Sequence, residues 1–247
     1  MNVLSGGAVV IGAGELSLVE GTRRFRRPIS SEIGARDIAQ TVSVYSPGVA
    51  PARRNPVAEE VLYVVRGKGS CFIGGHTYEL EPATAVYIPP ETIYQVKVSD
   101  GELEVVGVCC PEDSGAQAGL ENLVDEAGET KPFRTVREGT QAAIPTGDRT
   151  FKLLIDRALG AQRVTQFIGV IPPSRAPMHH HGYEEAIYIL EGNGVVWTDS
   201  ASAVFSPGSS IYLPRGVSHC LENTGASVVR LLGVFHPSGN PGISYND

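Results

Sequence analysis

The chain has 247 residues, with 20 Lys plus Arg against 27 Asp plus Glu and a net charge of −7. That balance excludes a general nucleic-acid binder, and no apolar run nears the ~18 residues that a membrane span needs. Four cysteines, Cys71, Cys109, Cys110 and Cys220, show no framework spacing, which excludes a disulfide scaffold and fits a reducing, cytoplasmic setting.

In chain order, residues 1–40 read as leading strands, with no charged leader or signal-peptide core at the start. Ala8 to Gly14 imitates the glycine turn of a dinucleotide site. Ser17 stands where the third glycine belongs and no apolar helix follows, so a strand with a glycine turn is expected. The cluster Arg23-Arg24-Phe25-Arg26-Arg27 reads as a solvated or carboxylate-paired edge. Residues 41–111 alternate as strands, with Gly74-Gly75 as a hairpin turn. Residues 112–147 are loop-like, with one helical turn expected at 121–126. Strand pattern resumes at 150–155 and runs through 164–236, before a Gly/Ser/Pro-rich tail to Asp247. The boundaries that follow are a first domain at 1–111, a linker at 112–147 and a second domain at 148–247.

Three of the six histidines are consecutive, at His179, His180 and His181. Pro172, Pro173 and Pro177 precede them and disfavour a helix. In an extended chain His179 and His181 share a face, His180 takes the other, and Glu185 has the parity of Ile187 and Ile189. A second strand, Ile211 to Leu213, ends in the turn Pro214-Arg215-Gly216 and delivers His219. Three imidazoles and a carboxylate suit divalent manganese, iron, cobalt, nickel or zinc. The two stretches read His179-x-His181-x3-Glu185-x6-Gly192 and Gly208-x5-Pro214-x-Gly216-x2-His219-x3-Asn223. They resemble the two signature motifs of the cupin superfamily at every defining position. The resemblance implies one divalent transition metal per chain, Mn²⁺ or Fe²⁺ foremost, on His179, His181, Glu185 and His219.

An internal repeat doubles this picture. Residues 59–69 match 184–194 at an offset of 125, Val86 to Pro89 match Ile211 to Pro214 at the same offset, and residues 107–111 match 233–237 at 126. A period this long is a duplicated domain. The fold expected is all-β, two tandem cupin barrels of the double-stranded β-helix, or jelly-roll, kind. In the first copy Arg54, Pro56, Glu60 and Tyr94 fall at the places of His179, His181, Glu185 and His219. A slip of one residue would bring Arg53 to the first place. Neither set suits a transition metal, so the first barrel is expected to be metal-free, with Arg54 answering Glu60 in place of the ion.

Ile187, Ile189 and Leu221 point inward by parity and imply a dry cavity for a small organic substrate with one chelating end. Quercetinase-like and diketone-cleaving cupins share the ligand type, so the resemblance implies a dioxygenase of enolic, phenolic or dicarbonyl compounds. Ureidoglycine aminohydrolases are bicupins of similar size and layout, and they imply a manganese-type hydrolase or isomerase instead. Their ligand pattern, Glu-x-His-x3-His with a distant Gln, departs from this one. A non-catalytic small-molecule-binding cupin is the third reading. A small molecule is the expected partner in all three, without nucleic acid or membrane, and a homo-oligomer is compatible with each. Glu184 and its twin Glu59 persist in both copies and read as structural; Cys220 reads as packing.

Overall fold

The computed structural model describes residues 1–112, 116–120 and 134–242. Short antiparallel strands dominate, and each half of the chain forms two facing sheets, the layout expected of a cupin barrel. In the C-terminal half an eight-stranded sheet faces the three strands Gly194–Thr198, Ser202–Phe205 and His219–Asn223. In the N-terminal half a seven-stranded sheet faces a six-stranded one. No helix among the described residues is long and apolar enough to cross a membrane.

Strand periodicity explains why two cores exist inside and a third between. In Glu184–Glu191, Ile187 and Ile189 fill the C-terminal barrel, while Ala186 and Tyr188 join a cluster shared by both halves. In Glu59–Arg66, Leu62 and Val64 fill the N-terminal barrel, and Val61 and Tyr63 join the same shared cluster. Both faces of these strands are buried, hence their near-continuous apolar runs. Each fully buried side chain of this size contributes roughly 1.5–3 kcal/mol.

The halves interlock by pseudo-symmetry. Glu184 accepts the backbone N–H groups of Arg36 and Asp37 at 3.1 and 2.9 Å. Glu59 accepts those of Gln162 and Arg163 at 2.8 and 2.9 Å. Each carboxylate therefore clasps a turn of the opposite half, so the structural role expected of both is what the contacts display. The Tyr212 hydroxyl donates to Glu184 at 2.8 Å.

Two expected assignments need correction. The leading strand Val9–Ile11 pairs with Ser210–Leu213, in the C-terminal sheet and not in the first barrel. Within the stretch read as linker, Thr135–Arg137 pairs with Thr84–Ile88 of the N-terminal sheet. Val10 opposite Ile211 and Thr135 opposite Val86 are equivalent pairs one repeat apart. Each copy thus lends its first strand to the other, because an open sheet edge gains a full ladder of hydrogen bonds. Local pattern identifies such a strand but not its partner.

Other readings hold locally. Gly74 and Gly75, with φ of 53° and 93°, turn the hairpin between Gly69–Ile73 and His76–Leu80 as a type I′ turn requires. Val9–Ile11 is a strand with no helix after Gly14. The arginine cluster lies on Arg23–Ile29, where Arg24 pairs with Glu102 at 3.0 Å in solvent. Arg23 instead turns inside the first barrel, 3% exposed and 3.2 Å from Glu20. The helical turn expected at 121–126 lies outside the described residues.

Candidate metal centre

The two motif stretches meet through one pair of backbone hydrogen bonds. His179 N–H donates to the His219 carbonyl at 3.0 Å, and His219 N–H returns the bond at 2.8 Å. His179 sits on this isolated bridge and His181 outside any strand, so the regular extended stretch expected there is confined to the bridge. The turn at Gly216 fixes the other end, its N–H donating to the His181 carbonyl at 2.8 Å.

Three rings converge as a result. The centroids of His179, His181 and His219 lie 4.7–5.1 Å apart, and one ligand atom from each falls within 4.8 Å of the others. Nδ1 of His179 lies 3.0 Å from the Pro177 carbonyl and Nδ1 of His219 2.7 Å from that of Val217. A carbonyl only accepts, so both Nδ1 atoms carry the proton and both Nε2 lone pairs stay available. The second-nitrogen partners expected for ligand imidazoles are thus two carbonyls, each two residues upstream.

His181 is held differently. Its ring stacks on Tyr183 at 4.6 Å, and Tyr183 stacks on Phe235 at 4.0 Å. Its Nδ1 is buried without a hydrogen bond, and its Nε2 lies 3.8 Å from Glu185 Oε2. Glu185 thus touches the triad through His181 and stands outside the tight three-residue set. His180 is not part of the cluster.

Burial sets the electrostatics. It lowers His181 to about 3 and His219 to about 4, with neighbouring imidazoles adding to the effect, and it lowers His179 as well. Burial alone pushes Glu185 up to about 8. The rings are therefore neutral at pH 7, with lone pairs facing one another beside a carboxyl that has no cation. A divalent ion answers each of these costs, so the donor set fits one.

The cluster forms one end of a cavity of about 250 Å³. Ile187 and Leu221 line it as expected, whereas Ile189 packs deeper in the barrel core. Sequence reading missed Phe151, Phe167, Leu231 and Phe235, which supply the aromatic part and one leucine of the apolar wall, and also Arg149. These lie on strands outside the two motifs, and only the parity of those strands could have found them. Phe167 packs on Gly233, where a Cβ would come within 2.2 Å of the ring. Cys220 is buried away from the cavity, and Asn223 is structural, donating to Ile171 and Ser227 carbonyls at 2.9 and 2.8 Å.

The equivalent place in the N-terminal barrel holds a protein cation, but not the expected one. Tyr94 pairs with Arg53 as His219 pairs with His179. Arg53, not Arg54, thus occupies the first ligand position, because the first copy has one more residue between this place and its glutamate. Arg54 faces outward, its Nη2 donating to Gln117 at 2.8 Å and its Nη1 3.6 Å from Glu91. Inside, the Tyr94 hydroxyl donates to Glu60 at 3.0 Å, Arg53 binds Glu20 at 2.7 Å, and Tyr94 and Glu60 act electrostatically on Arg53.

Comparison with known proteins agrees with this architecture. Residues 167–235 match the Cupin domain model, and residues 48–109 match the AraC-like ligand binding domain model. An uncharacterized protein of Methanocaldococcus jannaschii is 34% identical over 65 residues, 26% of this chain and 52% of that protein. One from Aquifex aeolicus is 28% identical over 75 residues, 30% of this chain and 61% of that protein. The chain thus spans only about half to three-fifths of these curated relatives. Among solved structures, one oxalate decarboxylase superposes with a TM-score of 0.79 at 13% identity, over 99% of this chain and 80% of that one. A variant of the Bacillus subtilis oxalate decarboxylase gives 0.75 at 14% identity, over 96% and 79%. At such identities the likeness is one of fold. The fold is therefore that of two cupin barrels in tandem, and residues 167–235 carry the match to the Cupin domain.

Proposed function

We propose that the protein is a metal-dependent enzyme that holds one divalent transition metal, Mn²⁺ or Fe²⁺ foremost, on His179, His181, Glu185 and His219. Its substrate is a small chelating organic molecule, and its reaction is dioxygenation of an enolic, phenolic or 1,3-dicarbonyl compound. The observation that carries this reading is the convergence of three neutral imidazoles at one end of a largely apolar cavity. When bound, the ion supplies Lewis-acid or redox chemistry to a chelated substrate. The chain supplies the rest. The carbonyls of Pro177 and Val217 hold two rings in one tautomer, and Tyr183 and Phe235 hold the third by stacking. Phe151, Phe167 and Leu231 exclude water and pack against the substrate body.

The second reading is a manganese-type hydrolase or isomerase. It is favoured by Arg149, a wall cation that suits an acidic substrate better than a neutral enol. The oxalate decarboxylases that share the fold are likewise named for an acid. The deciding experiment is metal analysis of the purified protein, then oxygen uptake with chelating enols, phenols and diketones. Oxygen-dependent turnover that is lost on chelation and restored by Fe²⁺ or Mn²⁺ supports the dioxygenase. Undiminished anaerobic turnover moves the protein to the second reading, and tight binding without any turnover makes it a binder.

A further inference from the structure

We infer that Arg149 is the carboxylate-binding residue of the metal cavity, and that the natural ligand is a small organic acid with an apolar body. The inference rests on the proposed metal site and names the substrate class for it.

Arg149 opens the strand Arg149–Ile155 and lines the same cavity as His179, His181 and His219. Its side chain is 17% exposed. Nη2 donates to the carbonyl of Leu221, two residues beyond His219 on the same strand, at 3.0 Å. This bond fixes the guanidinium relative to the second motif. Nε lies 3.4 Å from Asp148, whose carboxylate is 53% exposed and therefore a screened counter-ion. Nη1 makes no hydrogen bond among the described residues.

A guanidinium so placed prefers a planar anion that takes two parallel hydrogen bonds. Phosphate is the poorer fit, because among the described residues Arg149 is the one Lys or Arg side chain in the wall, Asp148 and Glu185 add carboxyls to it, and much of the rest is Phe, Ile, Leu and Val. A carboxylate on Arg149, an aromatic or aliphatic body against Phe151 and Phe167, and oxygen donors toward the histidines match the cationic, apolar and imidazole parts of the wall.

The test uses benzoate and 3-phenylpropionate, each paired with its neutral primary amide, titrated calorimetrically into the metal-free full chain. Wild type should bind at least one acid about tenfold or more tighter than its amide, and Arg149→Gln should erase that ratio. Arg149→Lys should keep part of it, since the charge remains without the fork. Loss of acid and amide binding in equal measure would mean that Arg149 merely supports the wall, and would overturn the inference. So would the absence of acid preference in wild type. Metal affinity of the same proteins, from chelator competition, is read separately. If metal binds without acid preference, only the Arg149 assignment falls. Acid preference without metal binding leaves Arg149 standing and removes the proposed metal site.

Discussion

The two barrels give opposite answers to one problem, a glutamate buried at the same point of the fold. In the N-terminal barrel Glu60 meets Tyr94 and the field of Arg53, with Arg23 and Glu20 completing a buried charge cluster. In the C-terminal barrel Glu185 meets His181 and, among the described residues, no fixed cation, and it lines a cavity. A duplicated fold has kept the carboxylate and changed what neutralises it: a tethered guanidinium in one copy, a soluble ion on the proposed reading in the other. Desolvation makes one or the other necessary, because an isolated buried charge costs too much. A permanent internal cation builds a scaffold; on the proposed reading, an exchangeable one builds a reactive centre.

The sharpest way to break that contrast is to remove the imidazoles. Wild type should retain one divalent ion per chain after dialysis, and a His179→Ala/His219→Ala double variant should retain none, by elemental analysis. Two ions per chain in wild type would place a second site in the barrel now read as metal-free.

The next largest effect should come from the other barrel. Arg53→Ala takes one of the two arginines out of the Glu60–Glu20 charge cluster and should cost up to roughly 3–5 kcal/mol in urea unfolding, with Arg23 left to offset part of the loss. Arg54→Ala, at a half-buried surface pair, should cost less than about 1 kcal/mol. Reversal of that order would return Arg54 to the role that sequence alone suggested.

Glu184→Gln and Glu59→Gln probe what the barrels share. Each weakens two charge-assisted bonds to backbone N–H groups and should cost about 1–3 kcal/mol in the same assay, nearly equally by pseudo-symmetry. Markedly unequal losses would mean that the two clasps do different jobs.

The smallest effect is the pH slope of the metal-free protein. His181 and His219 are lowered to about 3 and 4, so from pH ~4 to ~6.5 the unfolded chain binds more protons at these sites and stability rises with pH. Glu185, raised to about 8, acts in reverse: above pH ~4.5 the folded chain holds the extra proton. In the lower window the histidines outnumber it. From pH ~6.5 to 8 Glu185 alone remains, and stability should fall by about 1.4 kcal/mol per pH unit at most. The sites together give a maximum near pH 6.5. Saturating Mn²⁺ should abolish the fall above it, because the ion stabilises the carboxylate. Unfolding midpoints at three pH values, with and without metal, check the sign.

How much was legible follows from the range of each signal. His179, His181, Glu185 and His219 announce themselves by spacing within two short stretches, and all four line one cavity, although only Glu185 and His219 stand on regular strands. The choice between Arg53 and Arg54 depended on a single extra residue in a loop, which parity inverts and alignment by offset averages away. Arg149 and Phe167 were invisible because they reach the cavity from strands distant in sequence and carry no spacing that refers to the histidines. The exchange of leading strands was invisible for a related reason: hydrogen bonding decides partners in space, whereas pattern describes only one strand at a time.

That exchange bears on the order in which the molecule is made. Val9–Ile11 leaves the ribosome long before Ser210–Leu213, the strand that it must join. The first barrel can close its far edge only when Thr135–Arg137 has followed. Early in synthesis the chain therefore carries an unpaired strand, and the last-made barrel supplies its partner. A fragment cut between the copies would leave an open edge on each half, a template for pairing with other chains. The two barrels mature as one unit, and the N-terminal half is a folding partner that the histidine-bearing half cannot shed.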